Sequence, residues 1–166
     1  MKPAARAFLL SLEVAARLVR SRVVRTPASA LLGFVGATVA RRRRITRAGD
    51  AQAMAEAWQR AFPSKKQVPI VGVDDATGTA FAEIHTPCPL RGSGDVDACY
   101  RMMAYDRAFA ARAGAELIVL TSQATPGVST CRVALRAVGA PIDDLVPASA
   151  LHAKRRRTSA SRSARD

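Results

Sequence analysis

An α+β fold, with an antiparallel sheet of about four strands from two hairpins and helices packed on one face, is what this 166-residue sequence predicts. Three observations carry the prediction. Two pairs of short alternating apolar runs, 67–73 with 79–86 and 116–121 with 129–138, are each joined by a turn-rich connection, which is the pattern of hairpins. A long helical pattern over 95–113 separates the two pairs, and three more helical stretches precede the first pair. Two hairpins divided by a helix favour an antiparallel sheet covered by helices on one side.

The elements follow in order. Over 4–24, at about 100° per residue, Lys2, Arg6, Glu13, Arg17 and Arg20 fall in a narrow arc opposite Phe8, Leu12, Ala15, Val19 and Val23. Two readings of this basic amphipathic helix stand: it lies on an anionic membrane surface, or it docks on the domain with its arginines in water. Thr26-Pro27 is expected to end or kink it. Residues 28–40 are apolar and close with Arg41-Arg42-Arg43-Arg44. That run reaches about 20 Å as a helix, short of the roughly 30 Å of a bilayer core, so it does not span one. The arginines read either as the positive flank of a membrane-touching segment or as a solvated linker.

Residues 50–62 read as a helix with Asp50 as N-cap and Met54, Ala57, Trp58 and Ala61 on one face, ended by Pro63-Ser64. The first hairpin turns at 74–78 and the second carries Pro126-Gly127 in its loop. The helix between them opens at Asp95 or Asp97 and closes at Gly114, expected as the left-handed residue after its end. Three segments result: a basic N-terminal helical segment 1–47, an α+β domain 48–149, and a basic, disordered tail 150–166.

The net charge of +13 divides unevenly, with +10 over residues 1–47, +5 over 150–166 and −2 over 48–149. A polyanion binder displays Lys and Arg on its folded binding surface, so the distribution argues against nucleic acid and for a small-molecule substrate. The basic segment 1–47 would meet an anionic membrane surface. Three widely spaced cysteines without a CxxC pair do not form a disulfide framework, and point to a reducing, cytoplasmic compartment. Glu13 and Arg17 interrupt any signal-peptide core, and no small-residue cleavage site follows. With the membrane reading, the protein would sit at the inner membrane face.

Chemistry centres on residues 83–136, which hold Cys88, Cys99 and Cys131. In a continuous helix over 95–113, Asp106 projects within about 20° of Cys99. A carboxylate amid apolar neighbours needs a partner or a proton, so Asp106 is either a cap held by backbone donors or part of a site. His85 and Cys88 stand at a strand end entering an irregular loop, a common place for functional groups. Two chemistries use this set. A thiolate of Cys88 or Cys99 could attack an electrophilic carbon with Asp106 or His85 moving protons. Alternatively Cys88, Cys99 and Cys131, with His85 as an optional fourth donor, could ligate zinc, although their spacing lacks the close pairs of common zinc modules.

The run Ile84-His85-Thr86-Pro87-Cys88-Pro89-Leu90, then Asp97-Ala98-Cys99 with Tyr105-Asp106, Gly114-Ala115-Glu116-Leu117, and Pro126-Gly127 before Cys131-Arg132-Val133 resembles the L-2-amino-thiazoline-4-carboxylic acid hydrolase-like family, over about residues 58–138. A fainter likeness, confined to the last cysteine, is to 4-vinyl reductase domains, which are ligand- and metal-binding modules. The first resemblance implies hydrolytic opening of a cyclic amidine- or thiazoline-type C–N bond, with Cys88, Cys99, Asp106 and Cys131 as site residues and no cofactor. The long basic N-terminal segment departs from the family pattern. The competing expectation is a non-enzymatic small-ligand- or zinc-binding module held near a membrane.

Overall fold

Local signals dominate where the chain turns or caps. In the computed structural model, which describes residues 3–154, Asp50 adopts an extended backbone and its carboxylate accepts from the Ala53 N–H at 2.7 Å, starting α3 (Ala51–Gln59). Met54, Ala55 and Trp58 form its buried face. After a 3₁₀ turn (Lys65–Gln67), β1 (Ile70–Asp74) and β2 (Thr79–Ile84) pair antiparallel. At their turn Asp74 accepts from Ala76 N–H and Thr77 O–H, which lowers its pKa. β3 (Ala115–Thr121) and β4 (Cys131–Ala137) form the second hairpin. Pairing of β2 with β4 joins the hairpins into one open antiparallel sheet of order β1-β2-β4-β3. The α+β architecture is therefore the one expected.

Alternation along the strands divides the sheet into two faces. Ala80, Ala82, Ile84, Leu117, Cys131, Val133 and Leu135 point into the main core, where α3 packs on β2 and β4 and the later helix α5 (Ala104–Arg112) packs on β3. On the reverse face, Ile118 and Ala134 are covered by Ile142 and Leu145. The buried Arg136 guanidinium holds that C-terminal strap in place, donating to Thr79 Oγ1 at 2.7 Å, to both Asp144 oxygens at 2.7 Å, and to the Pro141 carbonyl.

Several expectations change. The helix over 95–113 is two helices, α4 (Val96–Met102) and α5, broken at Met103, whose ψ of 1° departs from helical geometry. Residues 1–47 are not an appendage. α1 (Pro3–Arg20) packs on α4, α2 (Arg25–Arg42) packs most extensively on α5, and Ala16, Val19, Ala28, Ala40 and Ile45 belong to the same core as the sheet. Pro27 lies inside the first turn of α2, where its missing N–H costs nothing because that donor has no helical partner. The arginine run is the end of α2, not a linker. Arg44 takes a left-handed φ of 54°, its N–H reaches the Arg41 carbonyl, and Ile45 N–H reaches the Ala40 carbonyl, the paired bonds of a Schellman stop. Residues 148–154 are helical, and the remainder of the expected disordered tail lies outside the described residues.

The α2–α5 approach depends on one glycine. A Cβ on Gly36 would stand 2.3 Å from the Tyr105 carbonyl oxygen, whereas one on Gly33 would meet only the Ala104 oxygen at 3.8 Å. Ser29 Oγ donates to the Arg101 carbonyl at 3.1 Å, tying α2 to the break between α4 and α5.

Candidate functional site

Asp95 starts α4 by accepting from the Ala98 N–H at 2.8 Å, and the resulting helix carries Cys99 to the loop end of the second hairpin. There Cys131 begins β4, opposite Ile84 of β2, and Ser122 and Gln123 follow β3. Cys99 and Cys131 are both 5% exposed and are hydrogen-bonded to each other. Ser122 hydrogen-bonds Cys99 as well, while its oxygen accepts from the Ala124 N–H at 3.1 Å. With hydrogen bonds from Cys131 and Ser122 outweighing burial, the Cys99 thiol falls to about 7. Holding the shared proton pushes Cys131 up. The first thiolate of this pair therefore forms on Cys99.

A cavity of about 330 Å³ opens beside it, between α4, the β3 edge and the C-terminal strap. Cys99 and Ser122 line it, with Val96, Leu117 and Ile142 supplying apolar wall. At its rim the Arg107 guanidinium lies 4.0 Å from the centre of the Tyr100 ring, near Glu116. The site thus joins a thiolate that forms near neutral pH to a pocket of small-molecule size carrying one cationic group.

Cys88 is half-buried outside this cavity, accepts from the Leu90 N–H at 3.4 Å, and has its pKa raised by burial. Asp106 lies across the Met103 break in the first turn of α5, where the spacing argument for a straight helix no longer applies. Its Oδ1 accepts from Trp58 Nε1 at 3.2 Å, and burial raises its pKa to about 6 despite that bond. Its charge still reaches Cys99 and works against the thiolate, and its side chain is not among those lining the cavity. His85 is exposed on the opposite sheet face and pairs with Glu83 at 2.8 Å. Among the described residues no three His, Cys, Asp or Glu side chains are grouped to hold a metal ion, so the three thiols do not form one ligand cage.

Gln123 was missed by sequence reasoning and organises the site. Fully buried, it donates through Nε2 to the Ile84 and Thr86 carbonyls at 3.0 and 3.1 Å. Its Oε1 accepts from Cys88 N–H at 3.3 Å and from Arg91 Nε and Nη2 at 3.0 and 2.8 Å. Its backbone N–H reaches Cys131 Sγ at 3.2 Å. One amide thereby fixes the loop after β2 against the start of β4. The only signal in the sequence was a polar Ser122-Gln123 pair directly after an apolar strand. No family model matches the chain, and no curated protein is significantly similar to it.

Proposed function

We propose that the protein is a cysteine-dependent hydrolase that opens a small cyclic molecule at an amidine- or thiazoline-type carbon, with Cys99 as the nucleophile. The observation that carries this reading is the Cys99 thiol, lowered to about 7, lining a cavity of about 330 Å³. The Cys99 thiolate adds to the electrophilic carbon of the C=N bond, forming an S–C bond as the π electrons move to nitrogen, which takes a proton from water. Collapse breaks the ring bond to the same carbon. Water then attacks that carbon, releases the opened product and returns the sulfur to Cys99. The apolar walls exclude bulk water, and Arg107 at the rim orients an anionic group. Cys131 and Ser122 hold the thiolate between turnovers. Asp106 positions α5 beneath the site.

Iodoacetamide labelling followed by peptide mapping tests the nucleophile. Cys99 should alkylate fastest, with a rate that rises to half its maximum near pH 7, while Cys88 and Cys131 lag. Hydrolysis of a 2-amino-thiazoline-type panel should fall more than about 10³-fold in Cys99→Ser and persist in Cys88→Ser. Turnover retained by Cys99→Ser, or labelling led by Cys88, defeats the reading. Binding of panel members without turnover would instead favour a ligand-binding module that shares the cavity.

A further inference from the structure

The α1–α2 layer buries one face, and its other face is apolar too. On α1, Leu10, Val14 and Leu18 are 61%, 55% and 41% exposed; on α2 and the turn before it, Val23, Leu31 and Phe34 are 87%, 57% and 70% exposed. Leu10, Val14 and Leu18 recur at four-residue steps and Leu31 and Phe34 at a three-residue step, so on each helix they form a stripe. Both helices pack on the α4–α5 layer, which turns the stripes outward. Scattered exposed apolar residues need no explanation, but continuous stripes on two adjacent helices do.

Charge identifies what covers them. Over residues 1–47 Glu13 is the one acidic residue against eleven Lys and Arg. Arg22 and Arg25 stand exposed at one end of the α2 stripe, and Arg41, Arg42, Arg43 and Arg44 at the other. A second copy of this chain would bring those like charges face to face. An anionic lipid surface accepts both features at once, because aliphatic and aromatic side chains enter the acyl boundary while arginines meet the phosphates. No helix among the described residues is long and apolar enough to cross a membrane, so the contact is in the plane of the interface.

We infer that the outer face of α1 and α2 is a peripheral docking surface for anionic lipid, with Leu31 and Phe34 inserting and Arg41 to Arg44 pairing with headgroups. The helix read from the sequence as either docked or membrane-facing is then both, on opposite sides. The contact does not depend on the chemistry at Cys99.

Sedimentation with sucrose-loaded vesicles tests it, using the full chain with phosphatidylcholine alone or with about 30% phosphatidylserine. Partition onto the anionic vesicles should be at least tenfold stronger and should weaken with salt. The Leu31→Ser/Phe34→Ser variant, changed only at exposed positions and checked by circular dichroism, should lose more than about tenfold. Each of Arg41→Gln, Arg42→Gln and Arg43→Gln should cost roughly fivefold. Equal partition onto both vesicles overturns the inference, as does no partition. Partition that survives Leu31→Ser/Phe34→Ser shows that these side chains do not insert and also overturns it. A dimer that Phe34→Ser dissociates would make the face a self-interface and overturn the lipid assignment as well.

Discussion

Two acidic groups sit on either side of the Met103 break, both nearly enclosed, and their pKa values move in opposite directions. Cys99, at the middle of α4, has two hydrogen-bond partners and falls to about 7. Asp106, at the start of α5, has the Trp58 N–H as its side-chain donor and rises to about 6. Burial opposes ionisation in both; at Cys99 the Cys131 and Ser122 hydrogen bonds outweigh it, whereas at Asp106 the Trp58 bond, the Arg107 charge and the backbone N–H do not. A helix N-terminus helps Asp106, but not enough to offset its desolvation. The difference separates a residue equipped to react from one equipped to hold a helix in place.

The most severe way to break the comparison is to move α5. Gly36→Ala should destabilise by roughly 3 kcal/mol or more, because the new Cβ meets backbone that cannot rotate away. Gly33→Ala should be neutral or gain up to about 1 kcal/mol from helix propensity. Urea denaturation of the pair checks both, and equal effects would mean that the close approach at Tyr105 is not tight.

Next in size is Asp106→Asn. In the folded state the carboxyl titrates near 6, against about 3.9 when unfolded. The folded protein therefore binds the extra proton between about pH 4 and 6, and stability falls as pH rises through that window. Asparagine keeps the acceptor for Trp58 without the charge. The variant should match the parent near pH 4 and exceed it by roughly 2–3 kcal/mol at pH 8, measured by denaturation across pH. A gap that does not grow with pH would show that Asp106 is already charged at low pH.

The gentlest changes act on the donors around Cys99. Ser122→Ala should shift the midpoint of the Cys99 alkylation profile upward by about one pH unit, slowing reaction at pH 7 by up to about tenfold. Cys131→Ala should shift it further, since that thiol contributes more. The reverse order would reassign the main donor. Gln123→Ala, which removes the frame around those donors, is a larger change, and loss of its several buried bonds should cost roughly 3 kcal/mol.

Much of the architecture was legible because its causes are local. Asp50 and Asp95 cap helices through N–H groups three residues ahead, Gly114 takes its expected left-handed φ of 83°, and strand alternation sorts two faces without reference to the rest of the chain. The site was only half legible. Cys99 and Cys131 could be marked as candidates by residue type, but their pairing spans a helix and a hairpin. Asp106 was placed beside Cys99 by assuming a straight helix, and the chain bends at Met103 instead. His85 stands only three residues before Cys88 in sequence, yet strand alternation carries it, with Glu83, to the face opposite the main core.

The amino-acid order by itself determined most of the elements, their polarity and the two hairpins, since hydrogen bonds between near neighbours, turn residues and period-two burial decide those. It also determined that α1 has a basic side and an apolar side. Only the tertiary structure decided that α1 and α2 are part of the core, because that rests on Gly36 meeting Tyr105 from 69 residues away. It alone placed Gln123 against Ile84, Thr86 and Cys88 and chose Cys99 over Cys88 as the thiol beside the cavity. Those outcomes depend on which distant donors surround a buried group, and burial makes each donor count.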